Sequence, residues 1–156
     1  MRKNPFHSKV RKSLALFLFS LTGLLFAFIV REYCLIIKPD GMPANLSGVL
    51  FYVFFATAYV MQGYGLISVS VFSRNKTIQT AVPLFWGQFV LTLLWLGFFF
   101  GLRLFGLALA EILATLLLSF VVFLFFRSIR IQSALLLLPA VIMLALLSLL
   151  NFYFVI

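Results

Sequence analysis

Charge is absent from long stretches of this chain, and those stretches dictate what it can become. No Asp, Glu, Lys or Arg occurs in residues 13–30, 41–73, 77–102 or 131–156, and Glu111 is the sole one in residues 104–126. Each stretch is long enough to cross hydrocarbon as a helix, which takes roughly 17 to 25 apolar residues. The whole chain of 156 residues is 65% hydrophobic, only 10% charged and contains 21 Phe. A soluble globule of this mass cannot bury so much apolar surface, because its surface falls too slowly with size. Lipid is the solvent this sequence demands.

Hydropathy divides the chain into five helices: Leu14 to Ile37, Leu46 to Phe72, Val82 to Leu102, Leu104 to Phe126 and Ser133 to Ile156. The third and fourth are nearly continuous and separate at Gly101-Leu102-Arg103-Leu104-Phe105-Gly106, where two glycines flank a charge. The alternating segments of about ten residues that mark an outer-membrane barrel are missing. Only helices then satisfy every backbone group inside a bilayer. The expected fold is an all-α membrane protein, a single bundle of five transmembrane helices.

The net charge of +9 is explained by topology. Arg2, Lys3, Lys9, Arg11 and Lys12 precede the first helix, Arg74 and Lys76 follow the second, and Arg127 and Arg130 follow the fourth. In a five-helix chain these segments share one side, leaving Arg31, Lys38 and Arg103 on the other. The positive-inside rule places the N-terminus in the cytoplasm. The lipid bilayer, with its anionic headgroups, is the partner this charge suits, and nucleic acid is not one.

The basic start followed by an apolar run is similar to a secretory signal, yet the run is long and no small-x-small cleavage pattern precedes Arg31-Glu32-Tyr33. A retained first helix is expected. Cys34 is the single cysteine, so no internal disulfide forms, and it lacks the small residues that precede a lipidated cysteine. His7 is the single histidine and sits in the basic tail without an acidic neighbour. No metal-ligand set, catalytic constellation or phosphate-binding glycine loop is present, and no cofactor is required.

Polar groups inside the membrane carry most of the remaining information. At helical spacing Phe85, Gln88, Thr92, Trp95 and Phe99 form one stripe of helix three. The amide of Gln88 needs a partner in hydrocarbon, so the stripe faces other helices. Two readings stay open: interhelical glue, or the wall of a cavity for a flat, mostly apolar ligand. Helix two carries a matching stripe of Tyr52, Phe55, Tyr59, Gln62 and Leu66, with Tyr59 and Gln62 a turn apart; helix five pairs Ser148 with Asn151. Glu111 is a functional candidate as an intramembrane acid, or else a partner for Arg103 or interfacial water. Gly97 and Gly101, in GFFFG, permit close helix approach, either within one subunit or in a homodimer through helix three. Pro83 falls near the start of helix three, where it is harmless, and Pro139 should bend helix five. The connection Lys38-Pro39-Asp40-Gly41-Met42-Pro43-Ala44-Asn45 is either a lid or a plain connector.

The run FWGQFVLTLLWLGFFFGLRLFGLALAEI, continuing to ALLLLP and LLNFYF, resembles the TspO/MBR family: tryptophan-rich sensory proteins, translocator protein and the peripheral-type benzodiazepine receptor. Phe85, Gln88, Trp95, Phe99, Phe100, Gly101, Leu107, Ala108 and Glu111 match the family's third and fourth helices in spacing. Pro139 and Leu150-Asn151 match helix five. Lys38-Pro39, Pro43, Tyr59 and Gly63 resemble family positions upstream. The chain departs from the pattern at Thr92, where the family has asparagine, at Leu116 or Leu117, where it has tryptophan, and at Pro139-Ala140, where it has P-Y. Its first loop also lacks the family's tryptophan and proline pair.

The resemblance implies a bacterial inner-membrane protein with an interhelical cavity capped by the first loop. The implied ligand is a hydrophobic small molecule, a porphyrin or haem-like tetrapyrrole, a sterol-like lipid or a drug-like aromatic, and some relatives promote light-dependent porphyrin breakdown. It assigns Trp95 to stacking, with Phe99 on the same stripe, and Gln88 and Thr92 to polar orientation. Tyr59 and Asn151 form the opposite wall, and Lys38 meets a ligand carboxylate. The rival expectation is a divergent membrane scaffold with a fully packed interior and no tetrapyrrole site.

Overall fold

The computed structural model describes residues 5–36, 49–70 and 76–155, with side chains for residues 13–32, 52–70 and 76–155. Its helices are α1 (Pro5–Ile36), α2 (Val49–Ser70), α3 (Lys76–Leu96), α4 (Phe105–Ile129), α5 (Ile131–Leu135) and α6 (Leu138–Val155). A π-helical turn, Gly97–Gly101, finishes α3. Taken with its π turn, α3 makes one span, and α5 with α6 makes another, giving five helices long and apolar enough to cross a membrane. α1 lies along α2, α3 along α4 and α4 along α6, while α2 also touches α5 and α6.

The inward faces are set by side-chain size and polarity. On α3 the buried line is Ile78, Ala81, Phe85, Gln88, Thr92 and Trp95; on α4 it is Ala108, Ile112, Thr115, Ser119, Val122 and Phe126. Both repeat every three or four residues, as one helix face requires. Outward faces are as apolar as the core, with Leu117 70% and Leu149 66% exposed, which suits hydrocarbon and not water. Small residues bring backbones together. A Cβ on Gly23 of α1 would lie 3.0 Å from the Phe55 carbonyl oxygen of α2, and one on Gly65 of α2 would lie 3.1 Å from the Ser133 carbonyl oxygen of α5. Ser68 and Ser133 add a hydroxyl pair at 2.6 Å across the same α2–α5 junction.

Three local features differ from the sequence expectation. Helix three begins at Lys76 instead of residue 82, so Pro83 lies inside it. Both Pro83 and Gln79, whose carbonyl loses its partner, sit on the exposed side, so the break does not disturb the core. Helix five is two helices, interrupted at residues 136–137 just before Pro139, whose missing N–H falls where an α6 first-turn amide needs no partner. Helix four runs on to Ile129, and the single extended residue Arg130 (φ −158°, ψ 115°) turns the chain into α5.

The α3–α4 hairpin is closed by the Leu102 amide donating to the Gly97 carbonyl at 2.9 Å and the Leu104 amide to the Phe98 carbonyl at 3.0 Å. The residue in the left-handed region is Arg103 itself, with φ 55°, and not either flanking glycine.

Candidate functional site

Every described residue expected to form the site is buried. Tyr59 is 1%, Gln88 3%, Thr92 4% and Trp95, Phe99 and Asn151 each 0% exposed. Lys38 lies outside the described residues, as does the first loop. Trp95 is the hub. It stacks with Phe26 of α1 (ring centroids 6.1 Å, planes 20° apart) and with Phe99 (4.9 Å, 27°). Phe26 continues to Tyr59 at 5.8 Å and stacks with Phe55 at 5.7 Å. From Phe99 the chain of rings passes to Phe154 of α6 and Phe105 of α4, both at 5.2 Å. Asn151 stands one turn before Phe154, so the rings bring Tyr59, Trp95 and Asn151 into one part of the bundle.

Polar atoms in this region are short of partners. Among the described residues the Tyr59 hydroxyl, the Trp95 indole N–H, both amide atoms of Asn151 and Glu111 Oε2 are buried without a hydrogen bond. Each such group costs about 1–3 kcal/mol when left unpaired. Tyr59 and Gln62, a turn apart, are candidates to bond one another or the polar groups of helix three, but the Tyr59 hydroxyl does neither. Ser148 likewise turns away from Asn151 and donates to the Ala145 carbonyl at 2.8 Å. Thr92 spends its hydroxyl on the Gln88 carbonyl of its own helix, at 2.9 Å. That bond uses the donor of Thr92 within its own helix.

Glu111 does not pair with Arg103. Its Oε1 accepts from Thr115 at 2.8 Å, because Thr115 lies one turn on along the same face, whereas Arg103 precedes α4 and is exposed. A shallow, open depression lined by Arg103, Phe105, Gly106, Phe154 and Val155 lies at this end, beyond the last rings of the chain. Among the described residues nothing packs against Gly97 or Gly101: a Cβ on either would meet nothing within 4 Å. No group of three His, Cys, Asp or Glu that would hold a metal occurs among the described residues.

Sequence reasoning did not pick out Phe26, which links α1 to Trp95, or Phe19, which meets Phe85, Trp86 and Phe89. The signal available was the spacing of two heptad-related phenylalanines on helix one. It also did not find the Arg31–Tyr52 pair, with a 2.8 Å hydrogen bond and the guanidinium 5.5 Å from the ring centre.

The arrangement of five spans, with an aromatic and polar stripe of α3 facing inward, agrees with a match of residues 13–156 to the model of the TspO/MBR family. The chain belongs to the TspO/MBR family. Pairwise comparison with curated proteins gives no match. Membership in TspO/MBR covers nearly the whole chain, so the bundle is a five-helix, multi-pass integral membrane protein throughout. Among TspO/MBR positions singled out in the sequence, Phe85, Gln88, Trp95, Phe99, Phe100 and Ala108 all lie on the buried side.

Proposed function

We propose that this TspO-like protein binds a hydrophobic planar ligand, a porphyrin or similar tetrapyrrole, between its helices, and acts as a sensor or translocator in a bacterial inner membrane with its N-terminus in the cytoplasm. One observation carries the reading: Trp95 is wholly buried in a stack of rings, yet its N–H, the Tyr59 hydroxyl and the Asn151 amide nearby have no partners. A planar ligand with polar edges matches both halves of that description, offering a face to the rings and acceptors and donors to the orphaned groups. Phe26 and Phe99 now lie against Trp95, so a ligand enters this stack only as those rings part from it. Stacking then falls to Trp95 and Phe99, polar contact to Tyr59, Asn151 and Gln88, and the basic Lys38 to a ligand carboxylate. Thr92 shapes the wall.

Titration of the detergent-purified protein with protoporphyrin, followed by tryptophan fluorescence, tests this. Saturable quenching that weakens in Gln88→Leu and in Trp95→Phe, with Trp86 as the remaining reporter, supports the site. Linear quenching without saturation removes it.

A second reading is favoured by a separate observation. Gly97 and Gly101 leave an open strip on α3 that no described residue fills, as a membrane scaffold assembling through this helix would require. We propose a homodimer through this strip. It is compatible with ligand binding, and becomes the main function if the interior proves closed to tetrapyrroles.

A further inference from the structure

The helix seams of this bundle are not closed in the same way. α1 and α2 meet backbone to backbone at Gly23, α2 and α5 meet at Gly65, and α3 and α6 each pack along α4. Between α1 and α3 the contacts are ring to ring. Phe19 of α1 meets Phe85 at 6.2 Å, Trp86 at 6.1 Å and Phe89 at 5.5 Å, and deeper along the same seam Phe26 meets Trp95. Behind Phe89 stands Tyr59, at 5.9 Å. Along this seam rings, not backbone contacts, therefore separate bilayer from interior.

The outer member of that layer is unusual in position. Trp86 is 45% exposed and lies ten residues after Lys76, about 15 Å along α3 at 1.5 Å per residue. That depth is well inside hydrocarbon, away from the interfacial belts where tryptophan normally collects. Phe19 is seated on the backbone of α2, where a Cβ on Gly63 would fall 2.6 Å from its ring. The seat has no side chain of its own, so Phe19 can turn out without dragging α2 with it. Side-chain rotation runs on far shorter times than separation of packed helices. Of the seams described, this one opens with the least structural change.

We propose that the α1–α3 seam is a lateral entrance through which a planar hydrophobic ligand dissolved in the bilayer reaches Trp95, with Phe19, Trp86 and Phe89 as its gate. The inference rests on the proposed ligand-binding interior, and it specifies where the ligand comes from: the membrane, not the aqueous phase beyond the first loop. The ring faces that close the gate are the same surfaces on which an arriving planar molecule slides.

Two measurements test it. In nanodiscs containing lipids brominated at mid-chain, Trp95 fluorescence is followed in a Trp86→Phe background. With a ring kept at position 86 and Phe19 and Phe89 in place, Trp95 is expected to be shielded; adding Phe19→Leu, or separately Phe89→Ala, is expected to expose it to quenching, while Phe120→Ala on the lipid-facing side of α4 does not. Stopped-flow mixing with protoporphyrin then gives rates. Phe19→Leu and Phe89→Ala are expected to raise association and dissociation together by on the order of ten-fold, leaving the equilibrium constant nearly unchanged, because each removes ring contacts from the closed state. Shielding that persists in both gate variants overturns the proposal, as does faster entry in Phe105→Ala alone, which would put the entrance at the α3–α4 turn. If bromine reaches Trp95 in the variants but protoporphyrin does not saturate the wild type, the gate stands and the tetrapyrrole reading falls.

Discussion

Gly63 and Gly97 are both helical glycines in the same bundle, and the structure gives them opposite roles. At Gly63 a Cβ would sit 2.6 Å from Phe19 Cδ2, 2.8 Å from its Cγ and 3.2 Å from its Cβ, so flipping the ring in place does not relieve the clash and Phe19 has to leave its seat. Gly63→Ala is therefore expected to destabilise the protein by about 1–3 kcal/mol, the usual cost of overpacking, as read by thermal unfolding in mild detergent. Gly97→Ala meets nothing within 4 Å and should be neutral or stabilising by up to about 1 kcal/mol. Equal losses at both positions would refute this account of α1–α2 packing. Arg103 offers a second check. Its φ of 55° is a conformation that costs a side chain about 1 kcal/mol or more and costs glycine almost nothing. Arg103→Gly should exceed Arg103→Ala in stability by about that amount, the comparison cancelling the lost charge. The sequence drew attention to Gly101 and Gly106 at this turn, but backbone freedom is needed one position from neither.

Pairs of helices show how much of the architecture could be read beforehand. The inward faces of α2 and α3 were legible because Tyr59, Gln62, Gln88 and Thr92 are polar, and a polar group in hydrocarbon has to face protein. Where both faces of a helix are apolar that contrast disappears: exposed Leu146 and buried Leu147 are the same residue type in different solvents. Pro139 marked a bend in helix five, where the structure has a full break into two helices, while the π turn at Gly97–Gly101 had no signal in the sequence pattern. On the π turn the consecutive rings of Phe99 and Phe100 are both buried. The site residues were legible as a buried stripe, whereas their partner Phe26 was not, because one phenylalanine among many on helix one carries no polar tag. The Ser68–Ser133 contact, 2.6 Å apart, tests the α2–α5 junction directly. A double-mutant cycle with Ser68→Ala and Ser133→Ala should return a coupling of about 0.6 kcal/mol, the typical worth of an interhelical hydrogen bond in a membrane protein. A coupling indistinguishable from zero would mean that backbone approach at Gly65 alone holds these helices together.

The proposed assembly and the proposed ligand binding use different faces of the same helix. On α3, Gln88, Thr92 and Trp95 face inward, while Gly97 and Gly101 are exposed with open space where a side chain would be. In water such a strip would be unremarkable, but in lipid close backbone approach is one of the few forces that bring helices together. The proposed homodimer therefore depends on the glycines and not on the monomer's core. Gly97→Leu and Gly101→Leu are expected to abolish dimers in nanodiscs or by mild-detergent light scattering. Monomer unfolding temperature should hold steady, since neither leucine has a neighbour among the described residues to displace. Saturable protoporphyrin quenching should also survive, because Trp95 lies on the other side of α3. Dimers that persist would place assembly elsewhere and remove the scaffold reading. Dimers lost together with quenching would show that the two faces are coupled through the π turn, which joins Gly97 and Gly101 to the buried rings of Phe99 and Phe100.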